Sequence, residues 1–447
     1  MSGDKLYGYE WNNLTDYGLV KPASYIIDKS GDTYRALNGT TGKIDYSGTD
    51  ASTVIQSAIN ALHTVGGTVF IKSGQYPLNS PINLSYKVRL VGEKIGKDYG
   101  ARLGPGNIPT DEYFMKLVMT TNQYNVGGIE NIFFYNWTGT KKYYGLLLDA
   151  TASDSAINRF NARNLEFRDF DKSIHLKGRV YFGVFENIRI NEQYSGFVGT
   201  HDVILEKGGG SSNPRINSFI NLEIVHIGTT QSSIYIDGSY HNTFINVEVD
   251  GGYYDECIIK FDGNSPAESD SNVVQNFRAQ DIYATANTKA TIYFSGSYCA
   301  GNWVEGLIPT MSVGNTLNFD AGASRNYVKM SAFGSNPKID ATGAGINNMV
   351  EFIPPDRTAP ATFTLTHSGA SVIYKGYGMA NSGTVVGTGA QQSIAHGCSF
   401  TPTKAQVIVS NIDDGANPYL SANPDATNIY VTAVNGKTFR WEVKYNP

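Results

Sequence analysis

Apolar residues recur along this chain at two spacings. One helical pattern stands out, with Val54, Ile55, Ala58, Ile59 and Leu62 on one face behind Asp50 as N-cap. Gly66-Gly67 stops it, and Thr68-Val69-Phe70-Ile71 opens a run of short strands that continues through Gly74-Gln75-Tyr76, 82 to 84 and 88 to 91. The rest of the chain reads as short alternating strands separated by turn residues.

Beyond residue 125 the alternation repeats. An Asn-apolar-x-apolar unit begins at Asn131, Asn164, Asn187, Asn221, Asn246 and Asn276, with intervals of 33, 23, 34, 25 and 30 residues. Between these lies a second unit, apolar-x-apolar-polar and then Gly, at 174–178, 203–208, 234–238, 259–263 and 292–296. Two or more strands per unit at this period predict a solenoid of coils. The LxxLxL signature of a leucine-rich repeat is absent, and a propeller needs longer, steadier units. A parallel β-helix fits, with Asn+1 and Asn+3 inside and equivalent residues stacked at about 4.8 Å.

Composition narrows the function classes. The chain has 447 residues, 29 Tyr, 21 Phe and 48 Gly, with a hydrophobic content of 41% that supports a sizeable core. A net charge of −5 argues against nucleic acid or an anionic membrane as partner. No apolar run approaches the roughly 20 residues that span a bilayer, so no membrane partner is expected. The polar start carries no secretory signal, so the chain is expected either to follow such a signal or to be exported another way. Cys257, Cys299 and Cys398 are far apart, with no zinc or redox spacing; one disulfide is an open alternative to the expected reading as free buried thiols.

The stretch from Asp50 to Ala61, followed by Gly66-Gly67-Thr68-Val69-Phe70-Ile71 and Gly74-Gln75-Tyr76-Pro77-Leu78, resembles the opening of pectate-lyase-like right-handed β-helix proteins. That group includes viral tailspike depolymerases, polygalacturonases and polysaccharide lyases. The resemblance implies an all-β chain, a right-handed parallel β-helix with an N-terminal capping helix and a C-terminal β-sandwich. The expected organisation is an N-terminal extension over 1–48, the solenoid over 49–353, linker or hinge strands over 354–380 behind the Pro354-Pro355 break, and the sandwich over 381–447. By the same resemblance the partners are a polysaccharide and two further copies in a homotrimer, and the place of work is extracellular or on a virion surface.

Stacking the repeats predicts outward ladders. Asn+2 runs Phe133, Glu166, Arg189, Glu223, Glu248 and Arg278; Asn+4 runs Tyr135, Arg168, Asn191, Val225, Asp250 and Gln280. The next position, at the strand end, is expected on the same face: Asn136, Asp169, Glu192, His226, Gly251 and Asp281. Glycosidases need two carboxyl groups, about 5 Å apart when retaining and about 6.5–9.5 Å when inverting. Asp250 with Glu192 is the expected inverting pair, Glu223 with Glu248 the alternative, and Asp281 a support. Tyr194, Tyr253 and Tyr254 on local insertions, together with His226, Tyr235, Lys260 and Tyr293, are the expected sugar contacts. The bland counterpart is a salt-bridge ladder with turn-capping carboxylates.

Hydrolysis of a polysaccharide is therefore the leading expectation. The alternatives are a lyase, with His226 or Lys260 as base and Arg189 beside the enolate, and a glycan-binding spike that cuts nothing. The residues that distinguish polygalacturonases and pectate lyases have no counterpart here. No cofactor is expected, and Ca²⁺ at Asp413-Asp414 finds little support.

Overall fold

The computed structural model describes residues 5–6, 9–10 and 23–444, except 95–99, 124–126, 139–141, 194–198, 210–211, 264–267, 286–287, 310–313, 321, 334–337, 343, 354–363, 368–371, 377–379, 397–400 and 414–416. It divides into two compact units, Met1–Asp255 and Glu256–Pro447.

In the first unit α1, Ala51–Leu62, closes one end of a stack of coils. Asp50 caps it, accepting from the Ser52 amide and from the Ser52 and Thr53 hydroxyls, the latter two at 2.6 Å. Gly66, at φ 77°, returns its N–H to the Leu62 carbonyl at 2.7 Å and ends the helix. The face formed by Val54, Ile55, Ala58, Ile59 and Leu62 is buried against the first strands, at about 1.5–3 kcal/mol for each large aliphatic side chain. Ahead of the helix, within the segment read as an extension, Tyr25–Ser30, Thr33–Asn38 and Ile44–Gly48 form an antiparallel meander. Its first strand pairs in parallel with Gly67–Ile71, which joins the meander to the solenoid.

The coils that follow are parallel throughout. One sheet runs Gly128–Tyr135, Asn161–Arg168, Val184–Asn191, Ser218–Thr230, Thr243–Tyr254. A second runs Tyr113–Val118, Tyr144–Ala150, Lys172–Gly178, His201–Glu206, Ser232–Asp237. A short third sheet holds Asn122–Gln123, Ala156–Asn158 and Val180–Tyr181. This is a right-handed parallel β-helix, the hand that twisted strands impose on parallel crossovers. Stacked rings fill the inside: Phe134 on Phe167 at 4.6 Å, and Phe185, Phe219 and Phe244 in a column at 4.5 and 4.6 Å.

The second unit repeats the plan. Val273–Gln280, Trp303–Pro309, Tyr327–Phe333, Asn348–Ile353 and Val372–Gly376 make one parallel sheet; Ile259–Asp262, Ala290–Ser295, Asn315–Phe319, Lys338–Ala341 and Thr364–His367 make another. The strands expected as a hinge, Thr364–His367 and Val372–Gly376, therefore continue the coils, while the proline-rich break at 354–360 lies outside the described residues. Two three-stranded antiparallel sheets end the chain, and Val407, Ile429, Val431, Phe439, Trp441 and Val443 pack between them as a sandwich core. Cys257 and Cys299 are free and buried, and burial pushes both thiols well up; Cys398 lies outside the described residues.

Because α1 covers the apolar end of the first coils, a chain lacking residues 1–66 should aggregate or unfold. Size-exclusion chromatography and circular dichroism of that truncation check this; a soluble, fully β-structured product would refute the capping role.

Candidate functional site

The repeated asparagine has a backbone cause. Asn131, Asn164, Asn187, Asn221 and Asn246 all lie in the left-handed region, at φ 50° to 58°, where Asn is among the few tolerated residues. The last four each donate the side-chain amide to the carboxamide oxygen of the asparagine one coil before, at 2.8 to 3.0 Å, so that Asn131 begins the column as an acceptor. The left-handed residue places two outward positions in succession, Ile220 and Asn221 on one strand and Ile245 and Asn246 on the next. The sheet bends there.

The bend makes a shallow groove of about 410 Å³, lined by Asn187, Asn221 and Asn246 and by Arg189, Glu223 and Glu248. The expected Asn+2 register holds from Phe133 to Glu248, although Phe133 and Glu166 are buried where an outward position was expected, and Glu223 and Glu248 are direct partners on neighbouring strands. Arg189 reaches Glu223 at 3.3 Å, and both side chains are nearly half exposed. Asp250, half-buried, lies two residues past Glu248 on the same outer face. At the start of this ladder Glu166 pairs with Arg168 at 3.1 Å, and that guanidinium lies over the rings of Phe133 and Tyr135.

On three coils of the first unit the position after Asn+4 faces the opposite way from expectation. Asp169, Glu192 and His226 are all buried. Ser218–Thr230 runs unbroken for 13 residues, so strict alternation carries His226 inward with Leu222 and Ile224. Glu192 therefore cannot share an open surface with Asp250, and the expected inverting pair does not form. Glu192 Oε2 instead lies 2.8 Å from His226 Nδ1, off the line of a hydrogen bond, while His226 Nε2 bonds Asp202 Oδ2 at 2.8 Å. Tyr254, expected as a sugar contact, is also fully buried: its ring stands edge-on to His226 at 5.7 Å and its hydroxyl meets Ser233 Oγ at 2.9 Å. Asp169 accepts the Gln193 amide at 2.6 Å, the turn-bonding role.

Glu192, Asp202 and His226 bring three possible metal-ligand atoms within 4.8 Å of one another. Each carboxylate takes a different nitrogen of the ring, however, which is the arrangement of an imidazolium clamped between two acids. Burial opposes charge on His226, but the Asp202 carboxylate, then Tyr254 and Glu192, carry it well above its ordinary value. Burial also raises Glu192, against the pull of His226. Both raised groups favour their protonated forms, which limits the net charge that the buried triad carries.

Of the other expected residues, Tyr253 is 46% exposed on the groove strand, beyond Asp250. Tyr235, on the second sheet, stacks on His201 at 4.6 Å. Tyr194 lies outside the described residues. In the second unit Asp281 is exposed at φ 52°, and Lys260 is bound to Glu256 at 2.9 Å and Asp262 at 3.3 Å. Tyr293 is buried and donates to Asp320 at 2.8 Å. Asp413 accepts the Thr438 amide at 2.6 Å, and Asp414 lies outside the described residues.

Sequence reading missed Asp202, the acid that completes the clamp, because nothing local marks it. It also missed a second asparagine ladder with a legible signal, an Asn four residues before the repeat Asn. Asn217 is buried and donates to Asn242 at 3.0 Å; in the second unit Asn272, Asn302, Asn326 and Asn348 form a buried chain at 2.9 to 3.1 Å.

No protein-family model and no curated protein matches this sequence. Among solved structures the chain is similar to the Azotobacter vinelandii mannuronan C-5 epimerase AlgE6 A-module, at 14% identity over 73% of this chain and 94% of that one, with a TM-score of 0.40. It is similar to the tailspike protein of Acinetobacter phage vB_ApiP_P1, at 11% identity over 89% and 84%, TM-score 0.42. A double mutant of the tailspike of E. coli bacteriophage HK620 aligns at 11% identity over 89% and 90%, TM-score 0.44. The class defined by the coils themselves is the right-handed parallel β-helix.

The clamp makes stability depend on pH. His226 and Glu192 both hold a proton more tightly when folded, so their contribution is complete below their ordinary values of 6.5 and 4.5 and is lost as pH rises through the raised ones. Melting temperature should therefore fall as pH rises, from above 4.5 for the Glu192 contribution and from above 6.5 for that of His226. His226→Gln, which leaves two facing acids buried without their cation, should cost about 3–5 kcal/mol. Thermal melts over a series of rising pH check both; a wild-type profile flat in pH would overturn the assignment.

Proposed function

We propose that the chain acts on a polysaccharide laid along the asparagine bend of its first unit and hydrolyses a glycosidic bond between Glu223 and Glu248. The observation that carries this reading is the direct pairing of two glutamates on adjacent rungs of an open groove. Rungs lie about 4.8 Å apart. That is close to the roughly 5 Å between the carboxyl groups of retaining glycosidases. Glu223, oriented by Arg189, takes the nucleophile's role, and Glu248 protonates the leaving oxygen. The side-chain carboxamides of Asn187, Asn221 and Asn246 repeat along the groove, a spacing suited to the hydroxyls of successive sugar units. Asp250 supports the acid, and Tyr253 offers a ring face to a neighbouring sugar.

Elimination is less well supported. His226 is sealed between two acids and Lys260 is engaged by two others, so neither named base meets an open groove. As part of the same proposal, the protein assembles as a homotrimer on a virion or outside the cell, with the C-terminal sandwich aiding assembly.

Glu248→Gln and Glu223→Gln should each lower turnover by about 10² to 10⁴ while melting like the wild type. A panel of polysaccharides assayed for reducing ends and for unsaturated-uronate absorbance reads this. New absorbance without hydrolysis would replace the reaction by a lyase's; binding without any product would leave a glycan-binding spike. Light scattering at micromolar concentration tests the assembly, and a species near the 48.6 kDa monomer mass would refute the trimer.

A further inference from the structure

The third sheet of the first unit carries a second chemistry, away from the groove. Tyr181, Arg215 and Tyr240 occupy the same place on three successive coils, linked by parallel bridges from Tyr181 to Arg215 and from Arg215 to Tyr240. The Arg215 guanidinium lies 4.3 Å from the Tyr181 ring centroid and 5.6 Å from that of Tyr240, and its Nη1 donates to the Tyr240 hydroxyl at 2.7 Å. An arginine held between two rings is a fixed plate with donors to spare, since one contact uses one of its five N–H groups. Arg179 lies nearby and donates to the Ser153 carbonyl. Among the described residues neither guanidinium is paired with a carboxylate.

These side chains surround a depression of about 430 Å³, with Asn122 and Asp154 on its rim. The volume falls in the range of about 300–1,000 Å³ typical of small-molecule sites. The chain turns a corner at the same place. The residues immediately after Tyr181, Arg215 and Tyr240 are Phe182, Ile216 and His241, at φ 56°, 57° and 57°. The same left-handed corner recurs on other coils, at Arg159 one rung from Phe182 and at Ser271 and Arg325 in the second unit, so it is a turn of the repeat that sets these side chains in line.

We propose that this corner binds a carboxylate-bearing sugar residue of an acidic polysaccharide. Arg179 and Arg215 present paired donors of the kind that grip a carboxylate bidentately. The tyrosine rings and hydroxyls suit a pyranose beside it. Asp154 and Asn122 offer acceptors to the hydroxyl hydrogens of a sugar, and a bare phosphate has no ring to lay on the tyrosines. The corner thus anchors an acidic chain at a place separate from Glu223 and Glu248, and it stands whether or not the groove cleaves.

The test uses the full chain carrying Glu223→Gln and Glu248→Gln, titrated calorimetrically with glucuronate oligomers, glucose oligomers of equal length and inorganic phosphate. Glucuronate oligomers should bind, glucose oligomers should bind at least tenfold more weakly, and phosphate should show no saturable heat. Arg215→Gln should weaken the acidic oligomer at least tenfold, and Arg215→Lys, which keeps the charge but not the fork, should fall between. Arg179→Gln should repeat the loss without disturbing the stacked rings, which guards against a folding defect at Arg215. Equal binding of the neutral oligomers, binding of phosphate as tight as that of glucuronate, unchanged affinity in both arginine variants, or no binding of the acidic oligomers would each overturn the proposal.

Discussion

One backbone conformation organises the first unit: a left-handed asparagine on each of five successive strands of one sheet. Asn tolerates that region because its short amide can satisfy itself locally, and here it does so on the coil below. Each amide bond contributes only about 0.5–1.5 kcal/mol. Their stacking nevertheless fixes where every strand bends, and the bend sets which residues face the groove. A slip of one residue in any coil would break the amide column and turn the whole hydrophobic set outward.

The interior is not uniformly apolar. Phenylalanine columns fill one part, while buried asparagines and the Glu192–His226–Asp202 clamp occupy others. Such groups are tolerated where partners stand at hydrogen-bond distance, and coil stacking supplies a partner at each rung. Asn217 illustrates this: its oxygen accepts the Gly183 amide at 2.8 Å, and its nitrogen reaches the Val180 carbonyl at 2.9 Å. Polar ladders of this kind specify register more sharply than aliphatic contacts, which would accept several alignments.

The first unit also separates its charges by face. The asparagine bend gathers glutamates around one arginine, whereas the third sheet gathers arginines around tyrosines. Because coils repeat, the residues at one backbone position of successive coils line up as a stripe along the stack. Arg215 between Tyr181 and Tyr240 shows how a stripe becomes a site, since equivalent backbone places on three coils bring one guanidinium against two rings.

Much of this was legible in the chain alone. The helical spacing from Val54 to Leu62, the Asn-apolar-x-apolar period and the glycines that end the second unit sufficed for a capped β-helix, because hydrophobic periodicity and turn chemistry are local. The ladder from Phe133 to Glu248 followed from the same repeat, and with it the pairing of Glu223 and Glu248. What the sequence by itself did not determine was where alternation continues and where a strand ends. Only the tertiary structure decided that His226 lies on an unbroken strand and turns inward, that Glu192 follows it there, and that Asp202 comes from another sheet to complete the clamp. Burial is a property of which coils stack on which, so an acidic residue at a strand end reads the same in sequence whether it faces a groove or a core.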